Sequence, residues 1–498
     1  MGTGQILRCR TSSDFITASL WGLNARGFSK AKPRNEVKAI NRKELRLLFD
    51  FLFVTVRLIG NMRDSIAATP KQPSRHGSSR RKILLRAGAI ALGTTLAFGI
   101  AEFGLRLADI GMPSLYVPDD FCGSRLRPST SGVWIREGHG HITVNSSGFR
   151  GPEISAEKAA GVFRIAVLGD SYIEALQVNE NASLCFQIQY ILNTANRIPN
   201  RKYEVINCGV SGYGTAQELQ MLRHHVLQLQ PDAVLLAVYP ENDIRNNLRS
   251  LDGDPARPYF TTEEDGTLIL DDSFRSSVPF VTAASVYERR KAFLVNGSHV
   301  LQMLKHAKER VFNANNMPIR AASVETSLKA SVEDAAYVYS ESTNIEHQRA
   351  WQITEHILEE LCRECRVEKI PIFVFTVSSP IQCYPDPALR RRIADECGVS
   401  DLFYSELRFQ RICSATSAEF YPLASALQEV ADSSGTSLHG FPDSGIDLGH
   451  WNEQGHGAAA RILTNWLASY DLFRLSPHED SRSSPQRVEK EPEGPSTY

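Results

Sequence analysis

Four short apolar runs, each separated from the next by a stretch with helical spacing, constrain this chain more than any other feature. They are FRIAVLG (163–169), YEVINCGV (203–210), DAVLLAVY (232–239) and IPIFVFTV (370–377). Runs of this length, rich in β-branched residues and nearly continuous in apolar character, are what strands buried on both faces require. Between and after them, TAQELQMLRHHVLQLQ (215–230) and IEHQRAWQITEHILEELCREC (345–365) space their apolar residues as helices do. A last helix is predicted from about Glu453 to Tyr470, with Ala459, Ile462, Leu463, Trp466, Leu467 and Tyr470 on one face. Strands alternating with helices run parallel and are covered on both sides by the crossovers. The fold class is therefore α/β: a three-layer sandwich around a central parallel sheet.

The rest of the chain is organised around that core. Residues 108–160 read as an extended, turn-rich approach in which ITVNSSGFRGPE suggests one short strand and a turn. The sheet-bearing domain is predicted over 161–474. About a hundred residues, 245–344, separate the third strand from the helix at 345, far beyond an ordinary loop, so they form a lid, a subdomain or a partner-binding insertion. Residues 475–498, rich in Ser, Pro, Glu and Arg, read as a disordered tail.

Upstream, the segment after Arg80, Arg81, Lys82 and Arg86 is uncharged from Ala87 to Ala101. Residues 83–107 suit a membrane anchor if Arg86, Glu102 and Arg106 sit near the interfaces. The basic flank predicts a cytoplasmic N-terminus, hence an inner-membrane anchor with the catalytic domain outside. The rival is a cleaved signal peptide and a secreted product, since Gly99 and Ala101 are small residues at a spacing that cleavage tolerates. SRRKILL also has the twin arginines of one export signal. Residues 1–82 form a basic extension, and Met62 is the expected natural start, with residues 1–61 non-native.

Composition removes some functions. The 55 basic and 56 acidic residues leave a net charge of −1, so no global field favours nucleic acid. Of the nine cysteines only Cys362 and Cys365 are closely paired, and no second pair or nearby histidines complete a zinc pattern. They read as half-buried thiols of a helix. Cys383, Cys397 and Cys413 lie close enough for one disulfide in an exported domain, with the pairing open.

Chemistry concentrates at strand ends. GDSY (Gly169–Tyr172) falls where the first strand ends and a helix begins, a turn that lifts Ser171 into a crevice beside backbone donors. Taken alone it could be a helix N-cap. DLGH (Asp447–His450) offers a base, His450, and a carboxylate, Asp447, to fix its tautomer. NCGVSGYGT (207–215) supplies glycines after the second strand, and PENDIRNN (240–247) supplies Asn242 after the third. Asp170 and Asp243 read as hydrogen-bonding the turns. His439, His456, His224 and His225 read as satisfied or surface histidines. Gly209, Gly212 and Gly214 lack the spacing of a dinucleotide-binding loop.

In order and placement these four motifs resemble the SGNH (GDSL-like) hydrolase superfamily over roughly residues 161–474. The resemblance implies an SGNH/flavodoxin-like sheet, Ser171 as nucleophile, and Asp447 and His450 as the rest of the triad. It places the oxyanion hole at the Ser171 and Gly212 amides and Asn242, with no cofactor and no metal. Gly212 is preferred to Gly209 on that resemblance. Tyr172 replaces the usual Leu, and Pro240 stands where the family has Gly, restricting the loop that carries Asn242. The implied function is hydrolysis of acyl esters, short ones such as O-acetyl groups on carbohydrate. The alternatives are an O-acyltransferase of cell-surface polysaccharide and a non-catalytic binding scaffold.

Overall fold

The computed structural model describes residues 76–195, 201–263, 266–314 and 323–473. The N-terminal extension up to residue 75, including Met62, and the tail from 474 lie outside the described residues. The chain divides between Ala101 and Glu102, and its two parts are taken separately. The first is most of the helix His76–Leu107. Its stretch Lys82–Leu107, with mean hydropathy 1.8, is long and apolar enough to cross a membrane. Leu84, Leu92, Leu96 and Ile100 on it are exposed.

The second part begins with two antiparallel hairpins where one strand was expected. β1 (Tyr116–Asp119) pairs with β2 (Gly123–Leu126), and β3 (Thr130–Trp134) with β4 (Gly140–Val144). Then come β5 (Val162–Leu168), β6 (Lys202–Asn207) and β7 (Ala233–Val238). The insertion carries a hairpin of β8 (Tyr259–Thr262) and β9 (Leu268–Asp271), and the helices Val278–Ala284, Val286–Asn296, His299–Ala314 and Val324–Asp334. β10 (Ile372–Thr376) and β11 (Glu419–Tyr421) complete a parallel sheet in the order β11-β10-β7-β5-β6. A final antiparallel pair, β12 (His439–Phe441) and β13 (Gly445–Trp451), precedes the last helix.

Side-chain alternation makes this sheet the middle of three layers. Ala166, Leu168, Val234, Leu236, Val238 and Val374 face one core with Leu219, Trp351, Ile357, Leu361 and Phe409. Those partners lie on the helices Thr215–Met221, Ile345–Val367 and Tyr404–Thr416. Ile165, Val167, Leu235, Ala237, Phe373 and Phe375 face the other core with Ile188, Leu192, Leu427, Leu463 and Leu467. These lie on Leu184–Ala195, Leu423–Ser434 and Glu453–Leu467. Each fully buried large side chain contributes roughly 1.5–3 kcal/mol, and net stability is only about 5–15 kcal/mol. Neither helical layer is dispensable.

Some elements differ from expectation. The helix predicted over 215–230 is α-helical only to Met221, then widens into a π-turn, Leu222–Val226, and tightens over Leu227–Leu229. The last helix stops at Leu467, short of Tyr470. Edge strand β11 was not anticipated, because three residues are too few to show a period. The eight described cysteines are all free thiols, and Cys362 and Cys365 are buried in a helix that packs on the sheet.

Candidate active site

The strand order reverses between β5 and β7, and ligands of such sheets bind outside the carboxyl ends at that point. The turns after β5, β6 and β7 carry Ser171, Gly212 and Asn242. At the first, Asp170 caps a four-residue helix, Ser171–Glu174, its side chain accepting from the Tyr172 amide at 2.9 Å. Ser171 is thus the first residue of the helix. The N-cap role that Ser171 could have had belongs to Asp170.

Ser171 Oγ lies 2.8 Å from His450 Nε2. The other ring nitrogen, Nδ1, lies 2.6 Å from Glu137 Oε2, and the His450 backbone amide donates to Glu137 Oε1 at 2.9 Å. With the imidazole neutral, Nδ1–H donates to Glu137 and Nε2 accepts from the serine hydroxyl. The carboxylate partner of His450 is therefore Glu137, and Asp447 is not brought to it. Asp447 and His450 both lie on β13, where the pairing with β12 shifts register and Gly449 between them has φ +71°, so the strand is bulged rather than regular. Asp447, expected as the acid of the triad, does not meet the His450 ring. Asp447 has φ +65°, and its charge is felt by Tyr384 instead.

Glu137 comes from the loop between β3 and β4. The neighbouring amide of Gly138 donates to Asp443 Oδ1 at 3.1 Å, and Trp134 Nε1 donates to the Glu137 carbonyl at 3.1 Å, fixing the loop from both sides. Gly449 makes room for it. A Cβ at 449 would lie 2.1 Å from Glu137 Oε1, and φ there is +71°, so both contact and conformation require glycine. Burial works against the charges of both partners. Their mutual attraction and hydrogen bonds outweigh it, holding the Glu137 carboxyl below its usual range and raising the His450 imidazole above its own.

The two oxyanion candidates are tied to residues bracketing Ser171. Asn242 Nδ2 donates to Asp170 Oδ2 at 2.7 Å, which leaves its second N–H uncommitted to that bond. Pro240 opens the helix Pro240–Asn246 at its first position, where a missing N–H costs nothing, so it starts the helix that carries Asn242. Ser211, next to Gly212, donates its amide to Glu174 Oε2 at 3.0 Å and its hydroxyl to the same oxygen. Gly212 has φ +79° and an open Cβ position, whereas a Cβ at Gly209 would lie 2.3 Å from the Glu174 amide nitrogen. Gly209 serves packing, and Gly212 is the one on the open loop.

Glu174 has no sequence signal beyond its place after GDSY. It also accepts from Tyr116 Oη at 3.0 Å, and burial pushes its carboxyl up to about 7. Arg150 donates to the carbonyls of Glu174, Ala175 and Val178, closing the helix end. Behind the turns, Asp243 accepts from the Tyr239 amide at 2.6 Å. Burial raises Asp170, Asp243 and Glu218 together, and both Glu218 side-chain oxygens lack a hydrogen-bond partner. Glu218, raised well above the usual carboxylate range with neither oxygen partnered, holds its proton rather than a bare buried charge.

The four other histidines weighed in the sequence are not hydrogen-bonded to Ser171 or Glu137. His439 lies 2.9 Å from the Gly449 carbonyl and 3.0 Å from Ser378 Oγ, and burial lowers it to about 4. Burial lowers His456 to about 3. His224 stacks on Phe121 at 3.6 Å. Asp119, Cys122 and His225 group closely enough to hold a cation. The Asp119 carboxylate is already committed, to the Phe121 and Cys122 amides, His225 and Arg125. Burial holds Cys122 as a thiol.

Beside Gly212 opens a cavity of about 320 Å³. Tyr116 and Ser124 come to it from the first hairpin, Ser211 and Gly212 from the core, and Arg257 and Phe280 from the insertion. A second hollow, of about 250 Å³, is lined by Tyr337, Ser340, Thr343 and His347 and contains none of these site residues.

No family model and no curated protein sequence matches the chain. Solved structures do. A catalytic mutant of Axe2, an acetylxylan esterase from Geobacillus stearothermophilus, is 13% identical, with 61% of this chain and 93% of that one covered and a TM-score of 0.30. TesA is 10% identical, with 62% and 99% covered and a TM-score of 0.28. The acetyl xylan esterase AlAXEase is 11% identical, with 62% and 100% covered and a TM-score of 0.30.

Proposed function

We propose that this chain is a serine ester hydrolase of the SGNH type, tethered to a membrane by Lys82–Leu107, with Ser171, His450 and Glu137 as its triad. The observation that carries the reading is the unbroken relay from Ser171 Oγ through His450 to Glu137, at 2.8 and 2.6 Å. His450 takes the Ser171 proton as the oxygen attacks an ester carbonyl. Glu137 fixes the tautomer and stabilises the imidazolium. The Ser171 and Gly212 amides and Asn242 Nδ2 receive the oxyanion. His450 then gives its proton to the leaving alcohol, and water, deprotonated in turn by His450, releases the acid from the acyl-enzyme.

The preferred substrate is a short acyl ester on carbohydrate, as the resemblance of the motifs to exported SGNH enzymes implies. The basic residues before Ala87 favour a catalytic part outside the cytoplasm. The test is hydrolysis of a series of aryl esters of increasing acyl length by the detergent-solubilised full chain and by Ser171→Ala. Turnover confined to short acyl groups and lost in the variant is expected. Equal turnover by both proteins would remove the reading.

A further inference from the structure

The last turns of the apolar helix do more than end it. The Glu102 carboxylate accepts from Ser298 Oγ at 2.8 Å and from the His299 and Val300 amides at 3.1 and 3.0 Å, capping the helix His299–Ala314. A carboxylate suits the free amides and positive dipole end of a helix N-terminus. Arg106 donates to the Gly297 carbonyl at 2.6 Å. The junction between two insertion helices is thus bound to the first charged residue after the uncharged run Ala87–Ala101. In a membrane-spanning segment that residue marks the level where hydrocarbon ends.

The helix before this junction, Val286–Asn296, buries none of its residues. Phe293 is 79% exposed, Tyr287 72% and Leu294 63%, while Val278 on the preceding helix is 78% exposed. Between these apolar residues stand the exposed cations Arg289, Arg290 and Lys291, against a single acid, Glu288. Over Val278–Arg310 six basic and two acidic residues give a net +4, in a chain whose total is −1. Water offers no reason to hold four large apolar side chains out of a core. A bilayer interface does: aromatic rings settle at headgroup level, apolar side chains enter the acyl boundary, and lysine and arginine reach anionic phosphates.

We infer that Val286–Asn296 lies on the bilayer surface beside the point where the span leaves it, with Tyr287, Phe293 and Leu294 among the lipids and Arg289, Arg290 and Lys291 at anionic headgroups. The inference rests on reading Lys82–Leu107 as a membrane span. The insertion would then share a wall between lipid and catalytic cleft, because Val278–Ala284, which exposes Val278 and Val281, also places Phe280 and Ala283 in the cavity beside Gly212.

The test uses the full chain with Cys9 and Cys397 replaced by serine, reconstituted in phosphatidylcholine vesicles with and without phosphatidylglycerol. A fluorophore is attached at Phe293→Cys, at Leu92→Cys in the span, or at Ser433→Cys on the sheet domain, and quenched by lipids bearing a shallow nitroxide. Quenching at 92 and 293 but not 433 is expected. It should weaken at 293 when Arg289, Arg290 and Lys291 become glutamate, most clearly with phosphatidylglycerol present. Quenching at 92 without quenching at 293 overturns the inference and leaves the span intact, as does protection of 293 by a second copy of the chain. Absence of quenching at 92 removes the span and the inference together.

Discussion

Two stretches of chain approach His450, and they differ in every respect that sequence records. β13 carries Asp447 three positions away, in a pattern that reads as a motif. The β3–β4 loop carries Glu137, 313 positions away, in a pattern that reads as nothing. Only the second reaches the ring. β13 is bulged between Ile446 and Trp451, with left-handed backbone at Asp447 and Gly449, so nearness in sequence does not bring the Asp447 side chain to the ring. The hairpin, by contrast, is held over the site by Trp134 and Asp443, and Gly449 leaves it room.

The largest effect that could break this comparison is loss of the proposed nucleophile. Ser171→Ala is expected to lower kcat for ester hydrolysis by about 10⁴-fold or more, with thermal unfolding nearly unchanged. The comparison itself is decided by Glu137→Gln beside Asp447→Asn. The first should cost about 10³- to 10⁴-fold in kcat, the second no more than about twofold, as for surface substitutions. Equal losses would reverse the assignment of the acid.

The pH profile sharpens the same point. His450 must be neutral to accept the serine proton, and Glu137 raises its pKa above 6.5. Activity should therefore rise with pH through a value above that of an ordinary histidine, and any activity left in Glu137→Gln should rise at lower pH. Asn242→Ala is expected to lower kcat by about 10²-fold with little change in KM, if its amide meets the oxyanion.

The smallest effect concerns stability. Glu174 binds its proton up to about pH 7 in the fold but only up to the ordinary carboxylate value, 4.5, when unfolded. Its raised pKa means that stability present below 4.5 is lost as pH rises to about 7, to the extent of roughly 3 kcal/mol. Unfolding midpoints measured from pH 5 to 7.5 should fall less in Glu174→Gln than in the parent chain.

Legibility followed period and length. FRIAVLG, DAVLLAVY and IPIFVFTV became β5, β7 and β10 because a strand buried on both faces has one pattern available to it. The helix at 345 appeared as Ile345–Val367, since twenty or more residues average out local exceptions. The helix at 215 broke into a π-turn, and nothing in MLRHHV announces one. Hairpins β1–β4, four or five residues per strand in a turn-rich segment, offered too short a period to separate from loop. Those hairpins hold Glu137, Tyr116 and the first wall of the cavity, so the least readable segment carries much of the site.

The sequence by itself determined the three-layer α/β architecture, the placing of Ser171, Gly212 and Asn242 after successive strands, and an apolar segment long enough to span a bilayer. These follow from local chemistry: side-chain period, turn residues and an uncharged run. Only the tertiary structure decided which carboxylate meets His450, that Glu174 ties the Gly212 loop to the helix that Ser171 opens, and that Glu102 is bound to the insertion. Each is a contact between residues far apart in the chain, where packing and burial choose the partner and no spacing can.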